Sequence, residues 1–266
     1  MATMNKQHRS TLVVVLVALL AVNCGSAGGG GDFNLISLEE EWQLGQQLSQ
    51  EIARQVRINN DPALNSYVRN MGQRIVQQTN MANLPWNFYV VDDPSINAFA
   101  VPGGHVYVHT GLIANADNAA ELAGVMAHEI SHVLARHSTE QLSRQYGLQI
   151  LASLVLGQNP NQLAQIAASI VGTGAMARFS REAEREADNI GIQAMHAAGY
   201  NPAGMATMFE ELLEHRQGSP GRVEQFFSTH PLTEDRIREA RDRAAQLGTG
   251  GAMDDAGFQE IRRRVS

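Results

Sequence analysis

The chain has 266 residues, of which 44% are hydrophobic and 18% are charged, so it can bury a core of ordinary size and is neither a disordered tail nor a coiled coil. Its 20 basic and 27 acidic residues give a net charge of −7, which is not the basic footprint of a nucleic-acid-binding protein, and no nucleic acid is expected as a partner. The only lysine is Lys6 and the only cysteine is Cys24. Beyond residue 24 the chain therefore has no lysine for a Schiff base, no cysteine nucleophile and no internal disulfide.

The N-terminus has the pattern of an export signal. Lys6 and Arg9 precede an unbroken apolar run at residues 12–22. The run is shorter than the ~20 residues that span a bilayer, so it is typical of a signal peptide rather than of a transmembrane helix. We therefore expect the protein to be exported from the cytoplasm.

Cys24 stands where a bacterial lipoprotein signal places its lipidated cysteine, and a glycine run at 28–31 follows it. We predict a lipoprotein-type signal peptide at residues 1–23, a lipid anchor on Cys24 and a flexible tether at 24–36. The alternative is an ordinary secretory signal that is cut near Ala27, in which Cys24 has no role.

Helix and strand patterns follow one another along the rest of the chain. Ser37 and Glu40 form a capping box, and Asp61 followed by Pro62 places proline in a first helical turn, so a helix should begin at each place. Two stretches rich in β-branched and aromatic side chains predict strands of a small sheet at 86–91 and 105–109. Helices are predicted at 37–57, 62–78, 118–136, 138–155, 161–177, 180–198, 203–216 and 233–246.

These elements predict the α+β class, as a mainly helical domain at residues 37–247 with a small β-sheet. The glycine-rich residues 248–257 are expected to be the frayed start of a C-terminal tail at 248–266. The apolar residues 148–177 are interrupted at 157–162, and neither half is long enough to span a membrane. We favour a buried helical hairpin there, and the alternatives are an apolar lid or a surface that contacts the membrane or unfolded protein.

The residues His128-Glu129-Ile130-Ser131-His132 lie in the middle of a largely apolar helical segment. Two histidines four positions apart on a helix are about 40° apart around its axis, so both imidazoles can reach one metal ion. Glu129 is rotated by about 100° from His128, where it can accept a proton from a metal-bound water without binding the metal. The motif predicts a zinc site with Glu129 as the general base.

A catalytic zinc usually has three protein ligands, so one more must come from elsewhere. His137 follows His128 by nine positions and is expected on nearly the opposite helix face, and cysteine is excluded by composition. The Glu- and Arg-rich residues 181–188 offer Glu184 and Asp188, which share a helix face. One would bind the metal and the other would orient a ligand histidine through its free ring nitrogen. The alternative is a solvated helix face with i, i+4 ion pairs.

Taken together, these motifs resemble those of the gluzincin metallopeptidases of the HtpX and CAAX prenyl protease type, and among them the envelope members without transmembrane helices, such as BepA and LoiP. The resemblance extends from about residue 38 to residue 245. It is carried by the following stretches, in this order: Asn97-Ala98-Phe99-Ala100-Val101-Pro102-Gly103-Gly104, Gly111-Leu112-Ile113, His128-Glu129-x-x-His132, Ser180-Arg181-x-x-Glu184-x-x-Ala187-Asp188, and Thr229-His230-Pro231 with Arg236 beyond.

The resemblance implies a zinc endopeptidase with one Zn²⁺ per chain. His128, His132 and Glu184 would bind the zinc, and Glu129 would be the general base. With Glu184 as the ligand, the shared helix face leaves Asp188 to orient a ligand histidine. The expected substrates are unfolded or misassembled proteins of the cell envelope.

The resemblance also implies two parts of the site that lie outside these helices. The strand residues Val106, Tyr107 and Val108 precede the metal-binding helix, as the edge strand does in this family, and would bind an extended peptide by β-augmentation. His230 precedes Pro231 in a predicted loop and would lie over the zinc. It would either occupy the fourth zinc position and gate the site, which we favour, or donate a hydrogen bond to the oxyanion. From spacing alone, a surface histidine in a turn fits equally well.

Three functions remain in competition. The first is a zinc endopeptidase for protein quality control, held at the periplasmic side of the outer membrane by Cys24, or free in the periplasm if Cys24 carries no lipid. The second is a periplasmic chaperone or assembly factor with a latent zinc site, in which residues 148–177 hold client proteins. The third is a glycan or small-amide hydrolase with the same zinc chemistry, against which the predicted peptide-binding strand argues.

Overall fold

The computed structural model describes residues 33–173, 178–218, 220–248 and 250–266. The expected signal peptide at 1–23, the lipidation site Cys24 and most of the tether at 24–36 lie outside these residues. The described end of that tether is not loose, because Ile36 is buried and the backbone N–H of Leu35 donates to the Ser143 hydroxyl at 3.1 Å.

The described residues are mainly helical and include one small sheet, which confirms the α+β class. Three strands, β1 to β3, form the sheet: Asn87–Val91, Ala98–Val101 and His105–His109. The α-helices, numbered α1 to α11 in chain order, are Leu38–Ala53, Pro62–Val76, Thr110–Asn115, Ala119–Leu134, His137–Val155, Pro160–Thr173, Arg181–Ala197, Ala203–Gly218, Glu224–Thr229, Glu234–Leu247 and Ala256–Val265.

The predicted starts of α1 and α2 are confirmed by their caps. The Ser37 hydroxyl accepts from the Glu40 backbone N–H, and the Glu40 carboxylate accepts from the Ser37 N–H, so two free donors of the first turn are satisfied. The Asp61 carboxylate accepts from two backbone N–H groups of α2, whose first residue is Pro62. Local side-chain chemistry therefore fixes where both helices begin.

The sheet has the order β1-β3-β2, so β3 is its central strand. β1 runs parallel to β3, and β2 runs antiparallel to it. The tight connection from β2 to β3 contains Gly103 and Gly104, both with positive φ. At Gly104 a side chain would also collide with the indole of Trp42, so this turn requires glycine for its conformation and for its space.

The two faces of the sheet are covered by different helices. Val106 and Val108 of β3 point into a core that includes residues of α2, α4 and α8. Tyr107, between them, points into a second core built from α1, α5 and α6. This alternation is the period-2 pattern of a strand that is buried on both faces.

The hairpin predicted at 148–177 is present up to the end of α6 at Thr173, and residues 174–177 lie outside the described residues. Leu151, Leu154, Leu163 and Ile166 are buried in the core with α1, which agrees with the favoured interpretation of a packed hairpin. Among the described residues, no helix is both long enough and apolar enough to cross a membrane.

The expectation that residues 248–257 are frayed is wrong for the part of that range that the structure describes. Residues 251–253 are hydrogen-bonded to the segment at 199–201. The Asn201 N–H donates to the Ala252 carbonyl at 3.0 Å. Asp255 caps α11, and Phe258 of that helix is fully buried against α2 and α3. The glycines indicate a flexible segment, but the Asp255 cap and the two buried apolar residues, Phe258 and Ile261, stabilise the helix.

Candidate active site

The helix with the two histidines lies in the centre of the domain. Asn118 caps α4 by accepting from the Glu121 backbone N–H, and α4 packs against α7, α8 and β2. His128 and His132 follow one another by one turn, and their Nε2 atoms are 3.1 Å apart. The predicted pairing of the two imidazoles is therefore present.

Two more side chains complete a buried cluster around these histidines. The Nδ1 atom of His230 lies 3.2 Å from Nε2 of His128 and 3.0 Å from Oε1 of Glu184. Glu184 Oε1 is also 3.4 Å from Nε2 of His132. All four side chains are at most 1% exposed, and one atom from each lies within 4.8 Å of the others. Nitrogen lone pairs this close together, out of water, need a shared cation or proton between them.

The donor set fits zinc. Three imidazole nitrogens and one carboxylate oxygen are ligands that Zn²⁺ accepts, and four ligands at the usual ~2.0–2.1 Å lie about 3.3 Å from one another in a tetrahedron. Four of the six ligand-atom separations in this cluster lie between 3.0 and 3.4 Å and match that value. Glu184, rather than Asp188, is the member of its helix that faces the two histidines of α4 in this cluster.

Glu129 lies beside the cluster and outside its set of four. Its Oε1 atom is 3.4 Å from Nε2 of His230, and the backbone N–H of Ala100 in β2 faces its carboxylate. Burial raises the pKa of Glu129, and the neighbouring His230 and His128 only partly offset that effect. The side chain is thus held ready to take up a proton next to the metal-ligand set.

Asp188 lies on the far side of His128, as expected for a residue that orients it. Its Oδ1 atom is 2.9 Å from the Nδ1 atom of His128, the ring nitrogen that faces away from the cluster. Arg236 from α10 grips the same carboxylate with Nε at 2.7 Å and Nη2 at 2.8 Å, and it also contacts Glu184. Burial alone would raise the pKa of Asp188, but Arg236 and His128 outweigh it and lower the pKa.

Sequence reasoning named Arg236 only as part of a motif and missed these contacts. Arg236 follows His230 by six residues, and this short link joins the third histidine of the cluster to the arginine that binds Glu184 and Asp188 of α7. The guanidinium also donates to the Pro231 carbonyl at 3.1 Å. It connects α7, α10 and the His230 loop in one network.

The expectation that His137 lies on the opposite face of the metal-binding helix is wrong. α4 ends at Leu134, and Arg136 takes a left-handed conformation with φ 58° that redirects the chain before α5 begins. His137 is thereby turned back toward His132, and their Nδ1 atoms are 2.9 Å apart. It is not a member of the four-residue cluster.

Aromatic rings and a short helix close the site from the outside. Phe179 stacks on His132 with 3.9 Å between the ring centres, and Phe226 of α9 stacks on His230 at 5.0 Å. The backbone N–H of Phe179 donates to the Thr229 carbonyl at 3.1 Å, which ties the segment before α7 to α9. His230 follows α9 directly and is fully buried, so it is not a surface histidine.

The assignment of Val106, Tyr107 and Val108 to an edge strand is wrong. They belong to β3, which is paired on both sides, so none of its ladder groups is free for a peptide. The edge next to α4 is β2. His109 N–H donates to Asn97 C=O, so the alternate residues Ala98 and Ala100 turn their backbone groups away from β3.

Comparison with known proteins gives a consistent result. The family model described as Peptidase family M48 matches residues 62–244. The beta-barrel assembly-enhancing protease of Escherichia coli (strain K12) is 32% identical over 268 residues, which covers 92% of this chain and 54% of that protein. The chain thus spans about half the length of that relative.

Two further relatives carry names of metalloproteases. The mitochondrial metalloendopeptidase OMA1 of Schizosaccharomyces pombe is 31% identical over 213 residues, covering 79% of this chain and 63% of that protein. The metalloprotease YcaL of Escherichia coli (strain K12) is 30% identical over 170 residues, covering 62% of this chain and 65% of that protein.

Proposed function

Because the chain belongs to peptidase family M48, we propose that it is a zinc-dependent endopeptidase that hydrolyses peptide bonds of unfolded or misassembled cell-envelope proteins. The main support is the buried cluster of His128, His132, Glu184 and His230 with Glu129 beside it. A metallopeptidase needs such a set of ligands together with a carboxylate base that is close to the metal without binding it.

His128, His132 and Glu184 would hold the zinc, and bound zinc would lower the pKa of a coordinated water toward neutrality. Glu129 takes a proton from the attacking water and passes it to the leaving amine. Burial, which raises the pKa of Glu129, suits this exchange because the base must release the proton again. Asp188 holds His128 through its outer nitrogen, and Arg236 holds Asp188.

His230 would occupy the fourth zinc position in the closed state. Its Nδ1 atom belongs to the ligand cluster, and its ring is fully buried. The position that a catalytic water needs is then filled by the chain itself, so the closed state is inactive. Opening requires that α9 and the residues stacked on the site move away.

The substrate would pair with the free edge of β2. Ala98 and Ala100 direct their backbone groups to that edge, and the Ala100 N–H already faces Glu129. A peptide that adds to this edge as an extended strand is recognised mainly through its backbone, which favours broad specificity. Both residues are buried in this structure, so the edge becomes available only when the site opens.

The envelope is the proposed location. The printed name of the Escherichia coli relative refers to β-barrel assembly, and the N-terminal sequence of this chain has the pattern of a lipoprotein signal. We propose that lipid on Cys24 holds the enzyme at the periplasmic side of the outer membrane. Replacing Cys24 by alanine should then release the protein from membranes, whereas unchanged membrane association would contradict the anchor.

The decisive test compares the wild type with Glu129→Gln for zinc content and for cleavage of denatured casein. We expect both proteins to bind one zinc and only the wild type to cleave, because the amide cannot accept the proton. Equal cleavage by both would contradict the role of Glu129.

The same test decides the alternative of a chaperone with a latent zinc site, which the complete burial of the cluster favours. Zinc binding without any cleavage that depends on Glu129, combined with suppression of client aggregation, would support that alternative. Cleavage that is lost in Glu129→Gln would exclude it.

A further inference from the structure

Each histidine of the α4 pair has one ring nitrogen that faces the cluster and one that faces away. The outer nitrogen of His128 meets the carboxylate of Asp188. Among the residues that the structure describes, the outer nitrogen of His132 meets no carboxylate, and its partner is the Nδ1 atom of His137 at 2.9 Å. The outer nitrogen of His128 is therefore held by a carboxylate, and that of His132 by an imidazole.

The short contact between His132 and His137 fixes where the protons lie. Two ring nitrogens at hydrogen-bonding distance must be one donor and one acceptor. The Nε2 atom of His132 faces the cluster, 3.4 Å from Glu184, and needs a free lone pair there to bind a metal. Its proton therefore sits on Nδ1, which donates to His137.

The hydrogen bond from His132 also fixes where the proton of His137 lies. If its Nδ1 atom accepts from His132, the neutral ring carries its proton on Nε2. That atom lies 3.5 Å from Oε2 of Glu186, an exposed carboxylate on α7. The hydrogen bond from His132 to His137 and the contact from His137 to Glu186 both run outward from the metal cluster, so His132 is held in the tautomer that binds a metal.

The backbone that delivers His137 is strained, which argues against an incidental contact. Arg136 is the only non-glycine residue with positive φ in the described part of the chain. Its side chain is held by the buried Glu41 at 2.6 Å and by the Ile36 carbonyl at 2.8 Å. A left-handed non-glycine residue is strained and persists only where its surroundings impose it. Here the result is that His137 turns back onto His132.

We propose that His137 is a positioning residue that fixes the tautomer and ring orientation of His132 for zinc. The proposal rests on the proposed function, because it assumes that His132 is a zinc ligand. A hydrogen-bonded partner on the outer nitrogen of a ligand histidine typically strengthens metal binding by about 10–100-fold. His137 would serve His132 as Asp188 serves His128.

A set of three variants separates orientation from packing. His137→Phe keeps a flat ring beside Phe179 and removes the acceptor. His137→Asn places its amide oxygen about where Nδ1 stands, so it can still accept from His132. His137→Gln has a larger side chain, but its amide lies about where Nε2 stands, out of line with His132.

The readout is the zinc dissociation constant of the full chain, measured by competition with a chelator, with the thermal midpoint of the metal-free protein as the control for folding. We expect the affinity to fall about 10–100-fold in His137→Phe and in His137→Gln and to recover to within about threefold of the wild type in His137→Asn. Should His137→Phe fail to fold, the Asn and Gln variants still decide, because a packing role would favour the larger glutamine.

Wild-type affinity in His137→Phe, or weaker binding by His137→Asn than by His137→Gln, would overturn the inference alone. Failure of the wild type to bind zinc at all would overturn the proposed function and the inference with it. The two failures are therefore distinguishable in one series of titrations.

Discussion

The Nδ1 atom of His230 lies 3.2 Å from Nε2 of His128, although 102 positions separate the two residues in the chain. His230 follows α9 directly, and its fully buried ring closes the cluster from solvent. His230 belongs both to the ligand cluster and to the residues that close the site. It can therefore couple access of a substrate to the site with the binding of the metal.

Replacement of His230 by alanine tests this coupling. If His230 occupies the fourth zinc position at rest, the change frees that position, and casein cleavage should rise while zinc is retained. If His230 instead stabilises the oxyanion, the same change should lower kcat by ~100-fold or more. Proteolysis within about twofold of the wild type would contradict both roles. Phe227→Ala, a nearby α9 variant outside the ligand cluster, controls for general loosening of the cover.

Removal of the carboxylate ligand should abolish stoichiometric zinc binding. Glu184→Ala leaves the α4 pair and His230 without a negatively charged ligand, and we expect metal analysis of the purified protein to show its loss. Glu182→Ala, half a turn away on the exposed side of α7, is the matched control and should keep a full complement. The reverse pattern would show that the register of α7 at the site is wrong.

Asp188 should matter for affinity rather than for the presence of the site. Asp188→Ala removes the partner of the outer nitrogen of His128 and leaves Glu184 as the carboxylate partner of Arg236. Zinc affinity should fall by about 10–100-fold in chelator competition. Asn189→Ala, its exposed neighbour, should bind zinc as the wild type does, and an equal loss in both variants would point to general destabilisation of α7.

A cluster of three carboxylates outside the metal site should control how the thermal stability of the protein depends on pH. Asp117, Glu121 and Glu211 have carboxylate oxygens within 4.8 Å of one another. Burial, followed by the negative charges of Glu121 and Asp117, raises the pKa of Glu211 to about 8. The folded protein therefore holds a proton there that the unfolded chain releases near pH 4.5.

This linkage has a definite sign. The contribution of the Glu211 proton to stability is complete below about pH 4.5 and is lost as the pH rises through about 8. The thermal midpoint of the metal-free protein should fall between about pH 5 and about pH 8, and Glu211→Gln should flatten the fall and raise the midpoint at pH 8. Glu214→Gln, at an exposed position of the same helix, should leave the slope unchanged. A wild-type midpoint that rises over this range would contradict the assignment.

Features that depend on neighbours in sequence could be predicted. The one-turn spacing of His128 and His132 sets their common direction on any helix, and the capping side chains Ser37 and Asp61 satisfy backbone groups two or three residues away. The i, i+4 spacing of Glu184 and Asp188 predicts a shared helix face for the same reason. Which of the two joins the ligand cluster and which supports His128 depends on contacts with α4 and Arg236. A local sequence pattern does not contain those contacts.

Features that depend on a break in the chain or on distant pairing were missed. Arginine does not predict a left-handed turn, because glycine or asparagine is the usual residue in that conformation. A continuous helix through Arg136 would put His137 on the opposite face, and this is why the prediction for His137 is wrong. β2 is half alanine, which gives a weak strand pattern, although its position at the edge next to Glu129 matters most for a substrate. The interpretation of β3 as the edge strand rests on the family resemblance, whereas its central place depends on pairing with β2, which no local pattern in β3 contains.

The strand order of the sheet also has a consequence for the folding kinetics. β3 is the last of the three strands in the sequence and the partner of both others, so neither β1 nor β2 has its ladder until residues 105–109 are in place. The short glycine turn lets β2 and β3 pair first, and β1 can then join only by the slower closure of a parallel, non-local contact. Val108→Ala in β3 should therefore slow refolding, whereas the equally buried Val90→Ala in β1 should mainly speed unfolding, and stopped-flow chevrons with the opposite assignment would reverse this order of assembly.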